Sequence, residues 1–339
     1  MEQLWGDLQN VREPVVLDFA WTMPAFQALH EWSKEEVFEA IVQHRKTLES
    51  GPEGDEAAYP DLRTPEWEVL SSPAPPEPTD DFTLRRDQGE CLAGFLADVA
   101  QAERLREVRA LTGFTRLDAP PDLVTRAPLA LDRSTWVPAS EVRGEGIFLR
   151  IDLALMAIWE ARARDSKVVR EHMEAFKRFR TNRYSERLRT DFDPLYGWPE
   201  ARYIALHTLS HLLIRTIALE CGYSSASLSE RIYSGLDQGG ILIYTAVPDA
   251  EGTLGGLVSL AEPGPLTRIV QRALHDALRC SSDPLCAERL PEAPADFSHG
   301  AACHACLFVS ETTCERGNRF LDRRFIVPVD DRFPPLTPS

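Results

Sequence analysis

Apolar residues recur at helical spacing along much of this chain. The capping-box sequence at Ser33–Glu36 predicts the start of a helix that ends near Gly51. A second helix is predicted over about Arg86–Arg106, where four apolar side chains fall on one face. A long apolar segment lies between Pro199 and Gly222, residues that favour the two ends of a helix. Shorter helices are predicted over about 153–161, 227–230, 265–278 and 318–324.

Two short apolar runs rich in β-branched residues predict strands. They are Gly146–Ile151 and Gly239–Val247. Because helical patterns cover far more of the chain, we predict a mixed α/β fold that is mostly helical with a small sheet.

Composition divides the chain into four segments. Residues 1–84 are an acidic N-terminal region, predicted to hold one helix and a proline-rich linker at 51–82. Residues 85–195 are predicted to be mainly helical and contain a basic stretch. Residues 196–326 hold the long apolar helix and a cysteine cluster, and residues 327–339 form a tail.

Acidic residues outnumber basic ones by 53 to 37, and the imbalance is local. Residues 1–100 hold 21 acidic and 7 basic residues, which leaves 32 acidic and 30 basic residues for the rest. This acidity argues against a protein that coats nucleic acid over its whole surface, but it allows a local basic face.

The most basic stretch covers residues 161–190, where aromatic side chains stand between the basic ones. Arginine and lysine can neutralise phosphates and aromatic rings can stack on bases, so this stretch is a candidate nucleic-acid surface. A solvated helix that binds a partner protein is an equally good interpretation. The candidate residues are Arg170, Lys177, Arg178, Arg180 and Arg183.

Five of the seven cysteines lie within 35 residues of one another near the C-terminus. An odd total and one tight cluster favour a metal site over a set of disulfides. Zinc takes four ligands and suits thiolate sulfur, so we predict a structural site closed by four cysteines. The predicted ligands are Cys286, Cys303, Cys306 and Cys314, with Cys280 as the alternative to Cys286. Reduced, buried cysteines are the simpler alternative.

His207 and His211 are four residues apart on the long apolar helix, so both rings face the same side. That spacing suits two ligands of a metal, with Asp249 or Glu251 as the carboxylate partner, and would support a metal-dependent hydrolase or nuclease. A pair of buried core histidines is the more common outcome on such a helix.

The N-terminus lacks a secretory leader pattern and no run of 18 apolar residues occurs. We therefore expect a cytoplasmic protein without a membrane span. The sequence also lacks the G-x-x-x-x-G-K-[ST] phosphate loop, so we predict that it is not itself an ATPase.

Several stretches resemble the zinc-binding domain at the end of MrfA-type helicases, abbreviated MZB. They are His207–His211, Gly240–Tyr244, Gly252–Gly256, Gly300–Cys306 and Cys314–Arg323. Leu105–Arg116 and Trp136–Leu149 are similar to the DrmB family of the DISARM anti-phage defence systems. The resemblance runs from about residue 85 to 326, so 85–195 is DrmB-like and 196–326 is MZB-like.

The resemblance implies an accessory, scaffolding subunit that partners a DrmA-type helicase and helps it bind incoming phage DNA. It implies a structural zinc ion, and it places ATP hydrolysis in the helicase rather than in this chain. Family members are longer, so a separate N-terminal DrmB-like subunit is a further expected partner. A partner of a DNA-repair helicase is the alternative function.

Overall fold

The computed structural model describes residues 61–86, 92–114, 136–184, 192–245, 256–291, 299–329 and 333–336, with residues 127 and 129 and scattered positions between 8 and 41. The chain forms two compact units. The first comprises residues 1–60, 114–127 and 183–192, and the second comprises the remainder.

The first unit contains helix α1 (Pro14–Ala20) and a small apolar core that includes Leu8, Leu17 and Ile41. The predicted capping box is confirmed, because Ser33 Oγ accepts the backbone N–H of Glu36 while Ser33 donates to the Glu36 carboxylate. The predicted end of that helix lies outside the described residues. Since α1 precedes it, the expectation of one helix before residue 84 is wrong.

A five-stranded antiparallel sheet forms the centre of the second unit, with the strand order β1-β2-β3-β5-β4. Its strands are β1 (Phe82–Arg86), β2 (Leu96–Ala110), β3 (Ala139–Ile151), β4 (Leu228–Tyr233) and β5 (Gly240–Thr245). The helices of this unit are α2 (Arg63–Ser71), α3 (Leu153–Ala163), α4 (Lys167–Arg183), α5 (Glu200–Cys221), α6 (Gly256–Ser259) and α7 (Pro263–Ala277).

Alternation along β3 gives the sheet two apolar faces. Phe148 packs with Trp67 and Leu70 of α2 on one face. Its neighbours Ile147 and Leu149 face the opposite way and belong to the main core with α5. Because α2 covers one face, the prediction that all of residues 51–82 form a linker is wrong for Arg63–Ser71.

Helix α5 runs through the main core, and almost every side chain from Tyr203 to Ile217 is buried. Its length and composition would allow a membrane span, but 72% of the apolar window is buried inside the protein, as in the core helix of a folded domain. Gly222 ends α5 in the left-handed conformation with φ +69°, as the sequence predicts.

Three predicted helices are wrong, so the helical majority is not confirmed. The segment predicted as a helix over 86–106 is strand for most of its length, because β2 pairs with β3 along its whole course. Ser227–Glu230 leads into strand β4, which pairs with β5. Asn318 and Phe320 have φ near +60°, so only a short 3-10 turn at Arg323–Phe325 forms near the end. The mixed α/β class is confirmed, and the predicted strands Gly146–Ile151 and Gly239–Val247 are found within β3 (Ala139–Ile151) and as β5 (Gly240–Thr245).

Candidate metal centre

Four thiols converge near the C-terminus, and they belong to Cys280, Cys286, Cys303 and Cys306. The Sγ atoms of Cys280 and Cys303 are 3.5 Å apart, and those of Cys286 and Cys303 are each 3.7 Å from Cys306 Sγ. Tetrahedral zinc with Zn–S bonds of about 2.3 Å separates its sulfurs by about 3.8 Å. The observed spacing fits one zinc ion and is far too long for disulfide bonds.

Local backbone structure positions these four thiols. Cys303–Cys306 is a tight turn in which the Cys303 carbonyl accepts the N–H groups of Cys306 and Leu307. Arg215 of α5 holds this turn from outside, since its guanidinium donates to the carbonyls of Ala305 and Phe308. The two other thiols lie beyond the end of α7, where the backbone N–H of Cys280 donates to the carboxylate of Asp283.

A buried cation accompanies the thiols. The Arg323 side chain has no exposed surface, and it donates to Asp283 and to the carbonyl of Ala277. The hydrogen bond with the Cys306 thiol and the nearby Arg323 guanidinium lower the pKa of Cys286 to about 5. Because four thiolates around a divalent ion leave a net negative charge, Arg323 is the natural counter-charge for a loaded site.

Cys314, predicted as a ligand of the same ion, lies elsewhere. The structure places Cys286, Cys303 and Cys306 close together, and the fourth thiol beside them belongs to Cys280. Both Cys280 and Cys286 are therefore present in the cluster instead of being alternatives. His304, which lies within the same turn, is exposed.

Cys314 instead joins a second group of possible ligands with His207, His211 and Glu230. His207 Nε2 lies 2.9 Å from Glu230 Oε1 and 3.0 Å from Cys314 Sγ. His211 Nε2 lies 3.3 Å from the same carboxylate oxygen. All four side chains are buried, so this group is closed to a substrate in solution.

The electrostatics of this second group are balanced within it. Burial lowers the pKa of His207, but the Glu230 carboxylate and Cys314 raise it well above its ordinary value. Burial opposes ionisation of Cys314, yet His207 lowers the pKa of the thiol to about 7. Each partner therefore favours the charge state of its neighbour.

The basic residues predicted to contact nucleic acid lie on α4. Arg170 and Arg178 are exposed, whereas Lys177 is partly buried and bonds Glu174. Arg180 does not share their surface, because it is buried against Phe176 and Tyr196 and donates to the carbonyl of Asp193. The side chain of Arg183 lies outside the described residues.

Comparison with known proteins supports the zinc centre. Residues 209–307 match the family model of the MrfA Zn-binding domain. This range contains Cys280, Cys286, Cys303 and Cys306 and stops before Cys314. Zinc is a structural cofactor of this chain, and the four clustered thiols are the residues that fit it.

A second comparison covers most of the chain. Over 250 residues the chain is 38% identical to the DISARM protein DrmB of Bacillus paralicheniformis, a match that covers 70% of this chain and 42% of that protein. The predicted resemblance is confirmed. The chain thus spans less than half the length of this relative.

The solved structure of the DUF1998 helicase MrfA bound to DNA is also similar, over 62% of this chain and 22% of that one. The two share 11% sequence identity, and the TM-score is 0.27. A similarity this low supports no argument about the present structure.

The sequence pattern does not single out Glu230, the carboxylate of the second group of possible ligands, which falls in the helix predicted over 227–230. The predicted carboxylates Asp249 and Glu251 lie outside the described residues. No pattern along the chain marks Glu230, because its neighbours Ser229 and Arg231 are polar too, and only the burial of the strand Leu228–Tyr233 identifies it.

Proposed function

We propose that this chain is an accessory, scaffolding subunit of a DISARM-type anti-phage defence system in the cytoplasm. The observation that carries this proposal is the 38% identity to DrmB over 250 residues, which extends well beyond the zinc-binding segment. ATP hydrolysis belongs to a partner helicase of the DrmA type. The chain helps that helicase to bind incoming phage DNA.

The proposed DNA contact is the basic face of α4, which comprises the exposed Arg170 and Arg178 and the partly buried Lys177. The opposite face of the helix packs into the main core through Val168, Val169 and Phe176, so the basic face has a fixed orientation. Positive charge held on a rigid element is a common arrangement for contact with the phosphate backbone.

The first test is binding between purified partners. The full chain is incubated with a purified DrmA-type helicase, and the complex is isolated by size-exclusion chromatography. Co-elution supports the proposal, and the same experiment tests the predicted N-terminal DrmB-like subunit. If the chain neither binds the helicase nor shifts DNA at low salt, the proposal fails.

The second test locates the DNA contact. Each phosphate contact contributes about 1 to the steepness with which the logarithm of the DNA-binding constant falls against the logarithm of the salt concentration. Loss of three contacts should therefore make this slope shallower by about 3. A variant with alanine at Arg170, Lys177 and Arg178 should show this change. The matched control replaces the exposed Arg268, Arg272 and Arg279 of the α7 region with alanine and should keep the wild-type slope. Equal slopes in both variants would remove α4 from the interface.

The alternative of a metal-dependent hydrolase is not favoured. His207 and His211 have no exposed surface, and a hydrolytic metal needs an open position for water and substrate. The zinc cluster is also closed, since four thiols complete its coordination.

A further inference from the structure

The group of His207, His211, Glu230 and Cys314 has features that a hydrogen-bonded core cluster does not explain. It joins two imidazoles, a carboxylate and a thiol at the meeting point of α5, β4 and the C-terminal segment. Glu230 Oε2 is one of ten buried side-chain atoms in the described residues that have no hydrogen-bond partner, so this carboxylate has an oxygen available to a bound cation. Buried polar atoms left in this way are uncommon and require an explanation.

The orientation of His211 is the first argument. Its Nδ1 lies 3.0 Å from the carbonyl oxygen of Leu307. Because a carbonyl can only accept, Nδ1 carries the hydrogen, and the lone pair of the neutral ring is on Nε2. Nε2 therefore faces Glu230 Oε1 at 3.3 Å, and either a proton or a metal ion fits between these two atoms. An Nδ1–H bond to a carbonyl, which leaves Nε2 as the ligand atom, is the usual way to orient a metal-binding histidine.

The surroundings of Cys314 are the second argument. Its Sγ accepts the backbone N–H groups of Arg316 and Asn318 at 3.4 Å and 3.1 Å. The turn that directs these amides at the sulfur needs left-handed backbone at Gly317 and Asn318, with φ of +59° and +61°. A non-glycine residue rarely adopts this conformation without a structural reason. Two amide donors to one sulfur stabilise a thiolate, which is the form that binds metal.

The distances are the third argument. Tetrahedral zinc places a nitrogen about 3.4 Å from an oxygen and about 3.6 Å from a sulfur ligand. The observed separations of 2.9, 3.0 and 3.3 Å are shorter than these values by up to about 0.6 Å, and all four donor atoms lie within 4.8 Å of one another. Loading the site therefore requires the donor atoms to move apart by this amount.

We infer that His207, His211, Glu230 and Cys314 bind a second zinc ion. The carboxylate and thiolate would neutralise its two positive charges, so a loaded site needs no buried counter-charge. Four protein ligands leave no open position, which makes the site structural. It ties the core helix α5 to strand β4 and to the segment that follows the four-cysteine site.

The two zinc sites share one short segment of chain. Residues 303–306 serve the first site and Cys314 serves the second, while Leu307 between them accepts the hydrogen bond from His211. The match to the zinc-binding family model covers residues 209–307 and so includes the first site alone in full.

The deciding experiment uses the wild-type full chain, expressed with ample zinc and freed of loosely bound metal. Elemental analysis should give two zinc ions per chain. X-ray absorption at the zinc edge should show a mixed shell of sulfur and nitrogen or oxygen. One zinc per chain with an all-sulfur shell would overturn the second site, and this test requires no variant to fold.

Variants then assign the ions to residues. Cys314→Ser and His207→Ala/His211→Ala should each retain one zinc with an all-sulfur shell. Cys280→Ser/Cys286→Ser should retain one zinc with mostly nitrogen and oxygen ligands. The exposed His275 and His304 provide control variants to alanine that keep both ions. A Cys314→Ser protein that still holds two zinc ions would contradict the assignment.

Discussion

At the scale of single residues, the C-terminal segment is held by a buried ion-pair network. The Asp322 carboxylate has no exposed surface and accepts hydrogen bonds from His172 Nε2 at 2.8 Å and Arg324 Nη2 at 2.6 Å. Burial raises the pKa of Asp322, but Arg324 and His172 outweigh it and hold the pKa far below its ordinary value. The ionised carboxylate is therefore part of the folded state.

Asp322→Asn should destabilise the protein by about 3 kcal/mol, because it removes the nearest negative charge from the buried Arg324 and leaves Glu171, 3.6 Å away, as a more distant partner. The ionised form contributes stability above the ordinary aspartate pKa of about 4, and this contribution is lost as the pH falls toward the lower folded value. The difference in melting temperature between wild type and variant should therefore narrow in acid. Asp237→Asn, in an exposed turn, is the control and should melt like wild type at every pH.

At the scale of elements, α5 determines how the zinc-binding segment sits on the core. It supplies His207 and His211 to one group of ligands, and its Arg215 holds the turn of the four-cysteine site. Its C-terminal end depends on a glycine, because Gly222 has φ +69°. The element thus combines a packing role with the placement of ligands.

Gly222→Ala should lower the free energy of unfolding by about 1 kcal/mol, since alanine is strained in the left-handed region. A Cβ at this position meets nothing within 4 Å, so the loss is conformational and not steric. The matched control is Gly264→Ala in α7, which is equally open and has ordinary helical backbone. That variant should be neutral or slightly stabilising in urea unfolding, and equal destabilisation of both would contradict the argument.

Arg215→Ala should weaken zinc binding at the four-cysteine site by about tenfold. The Arg215 guanidinium orients the Cys303–Cys306 turn, and loss of a hydrogen-bonding group that orients metal ligands typically lowers metal affinity on this scale. Competition with a coloured chelator measures the change. Arg215→Lys should be only a partial replacement, since one ammonium cannot contact two carbonyls as a guanidinium does. Arg272→Ala, on the exposed face of α7, is the control, and an equal loss there would count against the role of Arg215.

At the scale of the whole molecule, the C-terminal segment has little regular structure of its own. Between α7 and residue 336, the described residues contain turns and one 3-10 turn, yet many of their side chains are buried in the main core. Metal ligands substitute for the secondary structure that would otherwise hold such a segment in place.

Removal of zinc should therefore loosen this segment first. A metal-free chain should melt at a lower temperature and be cut by protease within residues 280–327. Zinc added back before the protease should restore both the melting temperature and the resistance to cleavage. Limited proteolysis with mass spectrometry identifies the cut sites. An unchanged melting temperature and cleavage pattern after complete zinc loss would show that the metal does not hold this segment.

Features encoded over a few neighbouring residues could be predicted from the sequence. The Cys303–Cys306 turn, the capping box at Ser33–Glu36 and the boundaries of α5 each depend on short spacings and local backbone preferences. The zinc cofactor and the family resemblance follow from the same short motifs. Predicting these features requires no knowledge of the fold around the motifs.

Features that depend on distant partners could not be predicted in this way. The helical spacing in β2 was misleading because pairing with β3 outweighs local helical preference. Ser227–Glu230 resembled a capping box, but pairing of β4 with β5 makes it a strand and turns Glu230 toward the histidines. That Cys280 joins the cluster together with Cys286, while Cys314 does not, also depends on the folded chain. Spacing along the sequence limits which thiols can meet, and packing around α5 selects those that do.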